Sequence, residues 1–166
     1  QGSQSTALAN IDPNRPDAPL LQCQAVFEAG NKQSAWAQLG PYRQLLKTHH
    51  RNLSPEFRAF VVTKLIESRE AGLAITICRQ SLISQGKGGT SRQHRATLQN
   101  LLGDCYMANE RYAIARDEYT TTMKHYPKSR EATVARLKIA ETLLAQKIFL
   151  KANEILDEFS QETDLK

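Results

Sequence analysis

The chain has 166 residues, 40% hydrophobic and 23% charged, with a formal net charge of +5 and a pI near 9.2. That is enough chain for one domain with a buried core, and the mild basic excess admits acidic partners or nucleic acid without choosing between them. No uninterrupted run of about 18 apolar residues occurs, which excludes a membrane-spanning helix; the three cysteines, Cys23, Cys78 and Cys105, are scattered without a CxxC, which argues against a disulfide framework or a zinc site.

Residues 1–18 begin QGSQSTALANID, with no basic n-region and no apolar h-region, so they are not an intact signal peptide. They are expected to form a flexible leader, in which QGS reads as a cloning remnant. A mature chain that had lost its signal would look the same, so no compartment follows. Residues 19–166 are expected to form a helical domain with hairpins near 19–48, 54–85, 91–125 and 129–161. From Pro19 to Ala29, apolar Leu21, Val26 and Phe27 precede the breaker Gly30-Asn31, and Ser34–Thr48 follows with Gly40-Pro41 interrupting it. Ser54 is an N-cap candidate with Pro55 in the first turn, opening a face of Phe57, Phe60, Val61, Leu65 and Ile66. Gly72 marks a turn at the next helix, which carries Leu73, Ala74, Ile77, Cys78 and Leu82. "SQGKGGTS" reads as a loop with Thr90 or Ser91 as a cap, and helices follow near 91–108, 110–125, 129–145 and 148–161. No β-type alternation persists, so the fold class is all-α.

The hairpins repeat. A shift of 37 places Gly103 on Ala140, Tyr106 on Leu143, Tyr112 on Phe149, Ala115 on Ala152 and Tyr119 on Leu156. A shift of 41 the other way brings Ala115 onto Ala74, Tyr119 onto Cys78 and Tyr106 onto Leu65; a further 39 brings Ala74 onto Ala35 and Cys78 onto Leu39. Small residues recur where helices must approach closely and large ones where they interlock, as in helical-hairpin arrays.

Leu102, Gly103, Tyr106, Ala115, Tyr119 and Pro127 stand at the spacing of a tetratricopeptide repeat (TPR), so the chain resembles that superfamily. Gln99 replaces the early tryptophan and Thr122 the late alanine. The match is specific for one repeat, fair over 130–161 and poor before residue 90. The junction "YPKSREATVARLKIAE" is similar to the TPR variety common in bacterial cell-envelope proteins, which would imply a periplasmic setting; TPR subunits of eukaryotic multi-subunit assemblies are a second resemblance, which leaves the cytoplasm open. The resemblance implies antiparallel helical hairpins stacked as a right-handed solenoid. It also implies a non-catalytic protein–protein interaction module that scaffolds a complex and holds a peptide or partner helix in a concave groove lined by each hairpin's first helix. Carried over by position, that groove is Thr97, Asn100, Asp104 and Met107, with Val134, Leu137, Glu141 and Leu144 beside them and Ala59, Thr63 and Ile66 on the other flank. It lacks the lysine and asparagine array of TPR domains that clamp a carboxylate, and its apolar floor suits an amphipathic helix or apolar peptide. The leader or a further repeat would cover that floor equally well.

No catalytic, cofactor or metal site emerges. Cys105 stands beside Asp104, which opposes thiolate formation, and His125 is about twenty residues on at the far end of the partner helix. "QGKGGTS" lacks the GxxxxGK[ST] spacing and a preceding strand. His49 and His50 are neighbours that share no helix face, and as cations near a helix C-terminus they suit its dipole. Asp157-Glu158, Arg111 and Arg116 read as solvated surface. Two alternatives remain. One is a self-associating homodimer through a solenoid end, since the last helix (Ile148, Leu150, Ala152, Ile155, Leu156, Phe159) is not obviously a polar cap and the chain stops at Lys166 with no end signal, as a fragment would. The other is a basic-patch binder using Lys47, His49, His50 and Arg51 with Lys87, Arg92, His94 and Arg95, disfavoured for nucleic acid because no aromatics are interleaved.

Overall fold

A computed structural model describes residues 11–83 and 91–164. The first ten leader residues, Lys87 and Thr90 lie outside them. The described residues are helical with no strand: α1 (Ala18–Glu28), α2 (Lys32–Leu39), α3 (Pro55–Glu67), α4 (Ala71–Ile83), α5 (Arg92–Ala108), α6 (Tyr112–His125), α7 (Arg130–Ala145) and α8 (Phe149–Asp164). Four starts are capped as their chemistry dictates. Asn31, Ser54, Ser91 and Ser129 accept, through their side chains, the backbone N–H of Ser34, Phe57, His94 and Ala132.

The helix expected over 34–48 is divided. α2 ends at Leu39, and a bridge follows: a 3-10 segment (Gly40–Leu45), one α-helical turn (Leu46–His49) and a second 3-10 turn (His50–Asn52). Pro41 has no N–H to offer the Ala37 carbonyl and its ring crowds that oxygen, so the α ladder stops there. Gly72 does not make the turn expected of it. It lies inside α4, and the left-handed residue of that turn is Arg69, at φ 61°.

One turn closes every hairpin. Gly30, Arg69, Glu110 and Lys147 have φ of 91°, 61°, 58° and 61°, and they are 39, 41 and 37 residues apart in sequence. Each donates its N–H to the carbonyl three residues back: Phe27, Ile66, Met107 and Leu144. Each following residue, Asn31, Glu70, Arg111 or Ile148, donates to the carbonyl five back: Val26, Leu65, Tyr106 or Leu143. This is the Schellman arrangement, which satisfies the carbonyls left over at a helix end. Five residues past each turn stands an alanine, Ala35, Ala74, Ala115 or Ala152, and all four are 0% exposed.

Packing runs in chain order. α1 pairs with α2, α3 with α4, α5 with α6 and α7 with α8, while α1, α3, α5 and α7 also touch one another in sequence; α4 packs on α5 and α6 on α7. The core joins Leu20, Leu39, Phe57, Leu65, Ile77, Leu98 and Tyr119 with the thiols of Cys23, Cys78 and Cys105. Gly103 admits the closest approach: a Cβ there would sit 2.3 Å from Cε1 of Tyr119.

Polar ties hold the N-terminal third. The buried Arg58 guanidinium donates to the carbonyls of His50, Arg51 and Leu53, at 3.1, 3.2 and 2.7 Å. Asp17, at the end of the expected leader, is buried and accepts from Asn52 at 2.7 Å and from Arg15. The His50 reading needs correction. The ring is buried, and its Nδ1 lies 2.8 Å from the Leu46 carbonyl, which can only accept, so Nδ1 carries the proton and Nε2 has no partner. Burial lowers its pKa, so this ring is not a cation serving the helix dipole.

Candidate partner-binding groove

Helices α5 and α7 lie side by side. Between them is a shallow cleft of about 240 Å³ lined by Thr97, Asn100, Leu101, Asp104, Arg130, Glu131, Val134 and Lys138. Thr97, Asn100 and Asp104 are thereby brought together with Val134, one turn apart along α5 and across from α7. Asn100 donates Nδ2 to the Glu131 carbonyl at 2.8 Å, bracing the first turn of α7. Thr97 Oγ1 lies 3.3 Å from Glu131 Oε1, which also accepts from Gln93. Asp104 Oδ1 accepts from Tyr119 Oη and from Lys138 Nζ, each at 2.7 Å, so one carboxylate ties α5 to both α6 and α7. Burial and the Asp104 charge push the Tyr119 phenol far up, so it stays a donor. Asn100 Oδ1 and Glu131 Oε2 are buried and have no partner.

The other groove positions are spread more loosely. Met107 and Ile66 are half-buried and packed against the core. Leu137 is half-buried, whereas Glu141 and Leu144 are exposed. Thr63 is exposed, with its hydroxyl donating to the Ala59 carbonyl at 3.0 Å. Glu131, Lys138 and Arg130 were not legible as cleft residues. The shift of 37 sets Lys138 on apolar Leu101 and Glu131 on His94, and a charge replacing a leucine on an inward face was the available signal.

The remaining chemistry-bearing residues sit as follows. Cys23, Cys78 and Cys105 are buried. Cys78 lies in hydrogen-bonding contact with Cys105, which with burial pushes its thiol well above the usual range, and burial raises Cys23 to about 11. Among the described residues no group of His, Cys, Asp and Glu could hold a metal ion, and no helix is long and apolar enough to cross a membrane. Of the basic cluster, His94 Nε2 lies 2.7 Å from Glu56, Arg95 donates to the Leu82 carbonyl at 3.0 Å, and Arg92 donates to the His125 carbonyl at 3.0 Å. Tyr126 does stand among these cations, under the Arg92 guanidinium at 5.9 Å, beside an open cavity of about 640 Å³ that Lys128 and Ser129 also line. Four exposed large apolar side chains gather at the α7–α8 turn, Leu144 and Ile148, then Phe149 at 57% and Leu150 at 82% exposure, while Tyr42, Ile83 and Ile114 are exposed elsewhere. No family model, curated protein or solved structure matches this chain.

Proposed function

We propose that the chain is a non-catalytic interaction module, a TPR-like right-handed solenoid whose first helices form a concave groove for a partner helix or apolar peptide. The observation that carries this reading is the fourfold turn with its buried alanine. The same turn ends α1, α3, α5 and α7, and these helices touch one another in chain order, which supports a common face for their outward positions. The cleft between α5 and α7 is that face's best-formed part, with apolar Val134 and Leu101 among polar groups. The buried thiols, one raised well above its range, support a packing role for the cysteines. The test is a photo-crosslinker placed at Met107 or Leu137, against one at exposed Asp117 on α6. Adducts from the first two positions with a common partner, absent from the third, support the groove. Equal labelling from all three refutes it.

A second reading is self-association, favoured by the exposed Leu144, Ile148, Phe149 and Leu150 at the α7–α8 turn. Light scattering would report a dimer, and Leu150→Glu should dissociate it. A monomer at all concentrations would end this reading.

A further inference from the structure

Two of the donors lining the α5–α7 cleft are spent internally, Asn100 Nδ2 on the Glu131 carbonyl and Lys138 Nζ on Asp104, while the Arg130 guanidinium stands exposed at the rim. The cleft's buried unsatisfied atoms are both acceptors. Asn100, 6% exposed, lines the cleft with Oδ1 unpartnered, and Glu131, which also lines it, has a buried Oε2 that is equally unpartnered. A buried acceptor without a donor is costly, and in a native fold it needs an explanation. The Glu131 carboxylate lies in the first turn of α7, where the helix dipole offsets part of its charge, but among the described residues no ion pair completes the compensation. Glu141, exposed farther along the same face of α7, adds a second free acid, against exposed Arg130 at the cleft rim. Two unpartnered acceptors on residues lining one cleft, one of them anionic, match a group with several N–H donors and a positive charge.

We propose that the cleft between α5 and α7 receives a basic side chain, lysine or arginine, of the helix or peptide held in the groove, an inference that rests on the groove reading above. The partner is then an amphipathic segment with apolar residues on one face and a cation at its edge. The whole chain carries +5, so bulk electrostatics favours the opposite choice, and preference for a basic partner has to come from the local acceptors.

The experiment uses the whole chain and two fluorescent amphipathic helical peptides of about 18 residues, with identical leucine faces and either lysine or glutamate on the polar face. Anisotropy at low salt should give the lysine peptide at least about tenfold tighter binding. Glu131→Gln keeps the size of the side chain and an oxygen for Gln93 and Thr97, and should weaken the lysine peptide about tenfold while leaving the glutamate peptide unchanged or tighter. Glu141→Lys, at an exposed position that folding tolerates, should weaken it severalfold. Equal affinity for the two peptides, tighter binding of the glutamate peptide, absence of binding by both, or a folded Glu131→Gln that binds the lysine peptide as before would each overturn the proposal. A glutamate-peptide complex lost in Met107→Glu would leave the groove standing with an acidic partner. Binding of either peptide that survives Met107→Glu would remove the groove itself.

Discussion

The second helices of the first and third hairpins begin alike and end differently. Ala35 and Ala115 occupy the same place after the turn and are wholly buried, and Leu39 and Tyr119 follow at the same spacing, also buried. Beyond that point α6 continues to His125, locked by Tyr119 resting on Gly103. α2 stops at Leu39, and the bridge replaces it, held by the Arg58 guanidinium, the Asp17–Asn52 bond and a bond from the Ser54 N–H to Gln24 at 2.8 Å. The turn and its alanine therefore set where a second helix starts, while its length is free to vary. Where it is cut short, buried polar groups do what apolar interlock does elsewhere. Among the polar groups of the bridge, Asp17 and the buried His50 have pKa values lowered by their surroundings, so the bridge should respond to acid.

The largest effect should come from overfilling the third hairpin. Ala115→Trp forces an indole into a site with no exposure and should cost at least about 3 kcal/mol, unfolding the C-terminal hairpins; Gly103→Trp should do the same. Gly103→Ala should cost about 1–3 kcal/mol, because the aromatic ring it would strike is anchored by Asp104 and cannot swing away. Thermal melting decides: a variant as stable as the parent means the register is misassigned. Next is Arg58→Met, which leaves three bridge carbonyls without their donor and should cost about 2–3 kcal/mol. Hydrogen exchange should quicken over 50–54 and stay unchanged in α6. Uniform quickening would mean that the bridge is not an independent unit.

Acid should discriminate the two ends without any substitution. Asp17 is held at about 2, chiefly by its bond from Arg15, well below an unfolded carboxyl near 3.9. Its contribution is complete above the unfolded value and fades as pH falls from there towards 2. His50 is lowered too, by burial, so the unfolded chain takes up its proton first. Stability should fall as pH drops below about 6.5, and level off once the folded ring is also protonated. Exchange at the bridge should accelerate across both windows while α5 and α6 change little; His50→Asn should abolish the upper window, and an unaltered profile in that variant would contradict the assignment. The smallest effects belong to the turns. Arg69→Gly, Glu110→Gly and Lys147→Gly should each add about 0.5–1 kcal/mol, because these exposed residues sit in the left-handed region, whereas Gly30→Ala should cost about 1 kcal/mol with no clash at all. Denaturant midpoints that move the other way would mean that these turns are not strained.

Of the groove positions carried over from the resemblance, Thr97, Asn100, Asp104 and Val134 line the α5–α7 cleft, whereas Met107, Leu137, Glu141, Leu144, Thr63 and Ile66 do not. Thr97, Asn100 and Asp104 recur one turn apart on one face, so any helix over that stretch must present them together. Lys138, Glu131 and Arg58 were not legible, because their roles depend on partners from 5 to 34 residues away. His50 misled for the same reason. Its type suggested a charge, and burial behind Leu46 and Arg58 removed it.

By itself the sequence determined that the chain is helical, where its capping residues start helices, and that the small and large residues repeat at intervals of 37 to 41. These are local properties, set by side-chain size, hydrogen-bonding type and the 3.6-residue period. Only the tertiary structure decided that Pro41 begins a bridge in place of a longer helix, that Arg58 caps that bridge, and that the α5–α7 cleft keeps two acceptors without donors. A backbone period places a side chain on a face. Whether the group is then buried, paired or left unsatisfied depends on what the rest of the chain brings to meet it.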